Sequence, residues 1–298
     1  MLSPNEPHEH AEVIKGETVA LGRAIVVTSG KGGVGKTTTT ANLGTALAAR
    51  GARVALVDAD VGLRNLDIVL GLENRVQHHL LDVLEERVDL DQALVPDKHS
   101  RTLFLLAAAQ EREKDDVDTE KFRALVASLR ERFDFVLVDS PAGIERGFKN
   151  AVAGAEEAIV VCTPEVSAVR DVDRVVGLLG NRFRPQLIIN RVRPELVKKG
   201  KMLSVEDVDA FLRLPLLGTI ADEPQIIVTT NRGEPLARQQ DGKTARAYHA
   251  IAARLCGENV AAPTVEIRTP TLLERIGGMF AGAPARRSPR GDARQGEK

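Results

Sequence analysis

Short apolar runs, each closed by a small or acidic residue, alternate along this chain with longer segments whose apolar positions recur at helical spacing. Such alternation predicts repeated strand–helix–strand units and a parallel sheet. The first run, Ala24 to Thr28, enters a glycine-rich stretch, and a helical pattern follows from Thr37 to Arg50 until Gly51 closes it. Arg53 to Val57 predicts a second strand beside the first, ending in Asp58-Ala59-Asp60. Val61 to Asp67 fits neither period and predicts a mobile loop. Leu80 to Arg87 predicts a short helix, Leu103 to Ala107 a strand, and Asp118 to Arg132 a helix burying Phe122, Leu125, Val126 and Leu129. Phe135 to Val138 then runs into Asp139, and further strands are expected at Ile159 to Val161, at Gln186 to Ile189 before Asn190, and at Leu216 to Ile220. Helices across Glu165 to Leu179 and Gly242 to Leu255 complete the pattern. It describes a doubly wound α/β domain of six or seven mostly parallel strands with helices on both faces. A ligand belongs at the carboxyl ends of such strands.

Composition sharpens this picture. Of 298 residues 43% are apolar but only 3% aromatic, so the core must come from Val, Ile, Leu and Ala, as in a buried parallel sheet. A net charge of -1 excludes bulk electrostatic attraction to nucleic acid. Cys162 and Cys256 lie far apart with no C-x-x-C spacing, which argues against a metal cluster or disulfide framework and for a reducing cytosol. Residues 1–22 lack the apolar core of a signal peptide and predict a disordered leader, ahead of a domain over 23–257 and a linker over 258–269. No apolar run approaches the roughly 18 residues of a spanning helix. Near the end, Leu272, Leu273, Ile276, Met279 and Phe280 form one stripe on an amphipathic helix over 270–281, before a basic disordered tail over 282–298. Such a stripe either docks on the domain or lies in a membrane interface. One copy, weakened by Gly277 and Gly278, would bind a bilayer weakly, whereas two copies on a dimer gain about 10² to 10⁴ in avidity.

The candidate chemistry sits in Ser29-Gly30-Lys31-Gly32-Gly33-Val34-Gly35-Lys36-Thr37-Thr38. Gly30, four residues, then Gly35-Lys36-Thr37 have phosphate-loop spacing between a strand and a helix. The glycines let backbone N–H groups face an anion, and the helix start adds a positive dipole end. Lys36 is expected on the outer phosphates of ATP and Thr37 on Mg²⁺. Asp139, ending an apolar strand next to the loop's strand, is the expected carboxylate for the metal. Asp60 is the candidate that orients the attacking water, with Asp58 either supporting the metal's waters or capping its loop.

The wording K-G-G-V-G-K-T-T resembles the deviant phosphate loop of the MinD/ParA family of ATPases, and G-L-R-N-L-D and D-S-P-A-G-I-E are similar to that family's two switch segments. This resemblance runs from about Ala24 to Gly257. It implies an ATP-dependent homodimer in which Lys31 reaches the partner's nucleotide, with Asn65, Gly143 and Glu145 in switch or dimer positions. It also implies that Asn190 reads the adenine edge and that Asp222 contacts the base, although Ala221 stands where the family usually has proline. Each of these two has a plain alternative, a turn-capping Asn and a helix-capping Asp. Members that place the division site carry a C-terminal membrane-targeting helix, recruit a MinC-like inhibitor and answer to a MinE-like or polar-scaffold regulator. Those family properties imply a slow ATPase on the inner face of the cell membrane. The alternatives are a DNA-segregating ParA-type ATPase using Arg191, Arg193, Lys198, Lys199 and Lys201, a flagellar-number ATPase, and a nucleotide-gated membrane scaffold with negligible turnover. No specific nucleic acid is expected, because the terminal apolar stripe has no use on DNA.

Overall fold

The computed structural model describes residues 21–110 and 117–267. Its elements are β1 (Arg23–Thr28), α1 (Lys36–Ala49), β2 (Val54–Asp58), α2 (Leu66–Leu70), α3 (Leu80–Leu84), α4 (Leu90–Ala93), β3 (Leu94–Pro96), β4 (Leu103–Leu106) and α5 (Thr119–Arg130). They continue as β5 (Phe135–Asp139), α6 (Arg146–Ala153), β6 (Glu157–Cys162), α7 (Val166–Leu179), β7 (Gln186–Val192), α8 (Pro194–Lys198), α9 (Val205–Leu212), β8 (Leu216–Ala221), α10 (Pro224–Asn231) and α11 (Lys243–Leu255).

Eight strands form one sheet in the order β3-β4-β2-β5-β1-β6-β7-β8. Neighbours pair in parallel except β3, which runs antiparallel to β4 at one edge. Successive side chains of a strand face opposite ways, so Ala24 and Val26 pack toward α5, α6 and α7, while Ile25 packs toward α1 and α11. Of the helices lining the two apolar layers, α5 buries one stripe, Phe122, Leu125, Val126 and Leu129, whereas α1 is buried nearly all round from Thr39 to Ala48.

Three expectations change. The second strand does not lie beside the first: β5 is inserted between them, because Phe135–Asp139 pairs with both. The sheet has an eighth strand, β3, three residues long and ending in Pro96, too short to show a period. The segment expected as an irregular loop, Val61 to Asp67, runs at its end into α2, started by Asn65 and stopped by Gly71 at φ +68°. Residues 258–267 carry no helix or strand, yet they are laid against the free edge of β8. The N–H of Thr219 donates to the Pro263 carbonyl at 2.7 Å, and that of Val265 donates to Thr219 Oγ1 at 2.7 Å. This contact covers an otherwise unpaired strand edge. Among the described residues no helix is long and apolar enough to cross a membrane. The predicted leader over 1–22 (but for its last two residues), the amphipathic helix over 270–281 with Leu272, Leu273, Ile276, Met279 and Phe280, and the tail over 282–298 lie outside the described residues.

Candidate functional site

The inserted position of β5 organises the site. Val27 of β1 pairs with Asp139, and Asp139 pairs in register with Asp58 of β2, so two carboxylates end adjacent strands below the glycine-rich loop. Both are almost fully buried. Burial, reinforced by their mutual repulsion at Asp58, pushes both above the usual carboxylate range. At Asp139 the Thr37 hydroxyl, the Lys36 ammonium and the Thr40 hydroxyl, which donates at 3.1 Å, work the other way. Thr40 was not anticipated. The signal was present in its spacing, one helical turn after Lys36 on the face turned to the sheet.

Asp58 acts as a hub for the loop that follows it. Its carboxylate accepts the N–H groups of Asp60 at 3.0 Å, Asn65 at 3.2 Å and Leu66 at 3.1 Å. Arg64, in the left-handed region at φ +42°, closes the turn by donating to Asp67 at 2.6 Å. The loop thus wraps Asp58 and leaves Asp60 at the mouth of the cluster, with Asn65 exposed.

Two glycines in the phosphate loop adopt backbone that other residues avoid, Gly33 at φ +77° and Gly35 at φ +94°. A Cβ at Gly35 would also lie 2.4 Å from the Asn190 amide nitrogen. Gly35 starts α1 with no side-chain cap, and the first turn contains no acid, so its N–H groups face an anion without internal competition. Lys36 is buried beside Asp139, whereas Lys31 is half exposed. Its Nζ sits 3.6 Å from Glu165 and 3.4 Å from Ser167 Oγ at the start of α7.

Beside the loop lies a pocket of about 290 Å³ lined by Gly35, Thr38, Asn190, Asp222 and Tyr248 among others. The two predicted base-contacting residues therefore share one pocket. In it Asn190 donates to the Val34 carbonyl at 2.8 Å and accepts the Arg191 N–H at 2.9 Å, and Asp222 pairs with Arg193. Arg191 and Arg193, assigned from sequence to a possible DNA patch, line this same pocket. On the opposite side Gly143 turns at φ +90° and the exposed Glu145 precedes α6.

A family model described as the CobQ/CobB/MinD/ParA nucleotide binding domain matches residues 25–236. The septum site-determining protein MinD of Bacillus subtilis is 49% identical over 264 residues, 87% of this chain and 98% of the relative. The chain belongs to the MinD family. Among solved structures, the MinC:MinD cell division protein complex of Aquifex aeolicus superposes with a TM-score of 0.75 at 48% identity, covering 80% of this chain and 98% of that one. MinD of Pyrococcus horikoshii complexed with Mg-ADP superposes with a TM-score of 0.72 at 32% identity, over 79% and 96%.

As a member of the MinD family the protein is an ATPase that uses ATP and Mg²⁺. The residues present fit that metal. Two buried carboxylates on adjacent strands are held above their ordinary pKa, a cost a divalent cation would relieve, and the donors are the hard oxygens Mg²⁺ takes. Among the described residues no three His, Cys, Asp or Glu converge as a closed metal cage. Bound at this site, Mg²⁺ would neutralise charge on the phosphates.

Proposed function

We propose that this chain is the nucleotide-gated switch of division-site placement. In the ATP state two copies pair, each Lys31 completing the partner subunit's site, and the paired terminal segments hold the dimer on the inner face of the cytoplasmic membrane. The assignment of a MinC-like inhibitor as partner rests on the Aquifex aeolicus complex, whose chains are named MinC and MinD. A MinE-like or polar-scaffold regulator would set where hydrolysis occurs.

Within the site we assign Lys36 and the N–H groups of Gly30 to Thr38 to the phosphates, and Thr37 and Asp139 to Mg²⁺. Asp58 supports the metal through its loop and its place beside Asp139. Asp60, held at the mouth of the carboxylate cluster by its own N–H to Asp58, orients the attacking water. Asn190 and Asp222 close the base pocket, and Asn65, Gly143 and Glu145 lie on the segments that move with the γ-phosphate. The domain we delimit as 23–257, with 258–269 joining it to the terminal helix.

One observation carries this proposal: a single loop holds two lysines, one buried against its own Asp139 and the other turned out of its own site onto an exposed pair. A lysine placed outward has no part in its own phosphate pocket and is available to a second copy. The test is sedimentation velocity with ATP in an Asp60→Ala background, which blocks turnover. Lys31→Ala added to that background should abolish pairing and, with it, sedimentation on anionic vesicles, while mononucleotide binding persists. Pairing that survives Lys31→Ala overturns the proposal.

A further inference from the structure

A large cavity lies away from the phosphate loop, at the other end of α1. It holds about 950 Å³ between the end of α1, the β3–β4 turn, the turn at Leu236–Arg238 and α11. Its lining carries Arg50, Arg101, Arg238 and Arg246 with His99 and His249, against the single carboxylate of Asp97. That carboxylate is already engaged. One oxygen accepts the N–H groups of His99 at 2.8 Å and Ser100 at 2.9 Å, and the other accepts Arg238 Nη2 at 2.7 Å.

Arg238 is the residue that points to a ligand. Its side chain is 16% exposed, and its Nε and Nη1 are buried with no acceptor among the described residues. A guanidinium taken out of water with two idle donors is unfavourable, and a native structure usually matches such donors with a ligand or ion. Arg101 and Arg246 form no ion pair among the described residues, so their charge on this cavity is uncompensated, whereas Arg50 pairs with Glu258. Planar guanidinium forks from three chain segments suit an anion with several oxygens.

We propose that this cavity binds a phosphate ester, seated on Arg238 and flanked by Arg101 and Arg246. The source of the phosphate is either a free metabolite, a dianionic monoester, or a lipid headgroup, a monoanionic diester, and both present non-bridging phosphate oxygens to the same guanidinium forks. Occupancy here has a short path to the nucleotide. The N–H of Ala237, next to Arg238, donates to Asn42 Oδ1 at 2.8 Å, and Asn42 Nδ2 donates to the Thr38 carbonyl at 2.8 Å, so the anion-bearing turn is tied to the start of α1.

The test uses the full chain saturated with Mg-ADP, which occupies the phosphate loop and removes it as a competing anion site. Calorimetric titration with sn-glycerol 3-phosphate forms one arm, and sedimentation on phosphatidylglycerol against phosphatidylcholine vesicles forms the other. Arg101→Gln/Arg246→Gln, two exposed positions whose loss leaves the core intact, should weaken the occupied arm at least 10-fold. Arg238→Gln should do the same where it folds, with folding checked by ADP binding. Loss in the calorimetric arm identifies a free phosphate ester, and loss confined to phosphatidylglycerol identifies the headgroup. Equal binding by parent and double variant in both arms, or no binding by the parent in either, overturns the site.

Discussion

The phosphate loop has two halves that behave oppositely. From Val34 to Thr40 it is built into the protein: Val34 is buried and accepts from Asn190, Lys36 lies against Asp139, and Thr40 donates to the same carboxylate. From Lys31 to Gly33 it is exposed, and its lysine rests on two surface side chains at the start of α7. The rear half is complete within one chain, while the front half holds its charge by contacts worth about 0 to 1 kcal/mol. Under the proposed pairing, a site divided in this way binds nucleotide alone and acts only with a second copy. Each expected outcome below removes one side of that contrast.

The largest effect belongs to the rear half. Lys36→Ala removes the ammonium that offsets Asp139 and that we assign to the phosphates, and two charge-assisted hydrogen bonds of about 1.5 to 3 kcal/mol each would go with it. Nucleotide affinity measured by fluorescent-ADP titration should fall by about 10²- to 10⁴-fold, the combined ~3 to 6 kcal/mol of those bonds. A loss under 5-fold would show that the backbone N–H groups suffice and that the rear half is not organised around its lysine.

Next comes Asp60→Ala, at the boundary of the two halves. Positioning of water is worth about 10² to 10⁴ in turnover, so steady-state phosphate release should drop by that range with ATP binding unchanged. Turnover at the parent rate would transfer the role to another group, and the carboxylate cluster behind Asp60 would then be purely a metal site.

How much of this division was legible beforehand depends on the distance over which each feature is encoded. The loop, Asp139 and seven strands could be read directly, since the glycines, the lysine spacing and the apolar runs are local signals. The insertion of β5 between β1 and β2 could not be read, because pairing of Val54–Asp58 with Phe135–Asp139 spans some eighty residues and leaves no mark in either run. For the same reason Asn190 was read as a base-contacting or turn-capping residue, and its bond to Val34, which joins positions 156 apart, was not foreseen. β3 was missed because three residues ending in proline cannot display alternation, and the seat of residues 258–267 because Pro263 bonds through its carbonyl, which composition does not reveal.

A subtler effect concerns acidity. The buried Asp58 and Asp139 are raised from 3.8 to about 7 and about 6, chiefly by desolvation. The folded, nucleotide-free protein therefore retains protons that the unfolded chain has released. Stability from this source is fully present below the unfolded value and is lost as pH rises through the folded values. Thermal unfolding without nucleotide should give a Tm several degrees higher at pH 5 than at pH 8. Saturating Mg-ADP, or Asp58→Asn, should flatten the difference. A Tm that rises over this interval would mean that Lys36 already compensates the pair, and the rear half would then be electrostatically closed without a metal.

The smallest effect lies in the front half and bears most directly on the contrast. If Lys31 must leave α7 to serve a second copy, then Glu165 competes with the partner for it, and Glu165→Gln should favour the dimer. The pair is exposed on both sides, 47% and 54% for the side chains, at 3.6 Å. An ion pair of this kind is worth under about 1 kcal/mol, so ATP-induced pairing should tighten only about 2- to 5-fold per protomer. Ser167→Ala, losing a contact of 3.4 Å to an uncharged hydroxyl, should do less. Both shifts should shrink with added salt, because screening weakens surface pairs before it weakens a buried contact to phosphate. Weaker pairing in Glu165→Gln would reverse the argument: α7 would then be holding Lys31 ready for the partner, and the exposed half of the loop would be as prearranged as the buried one.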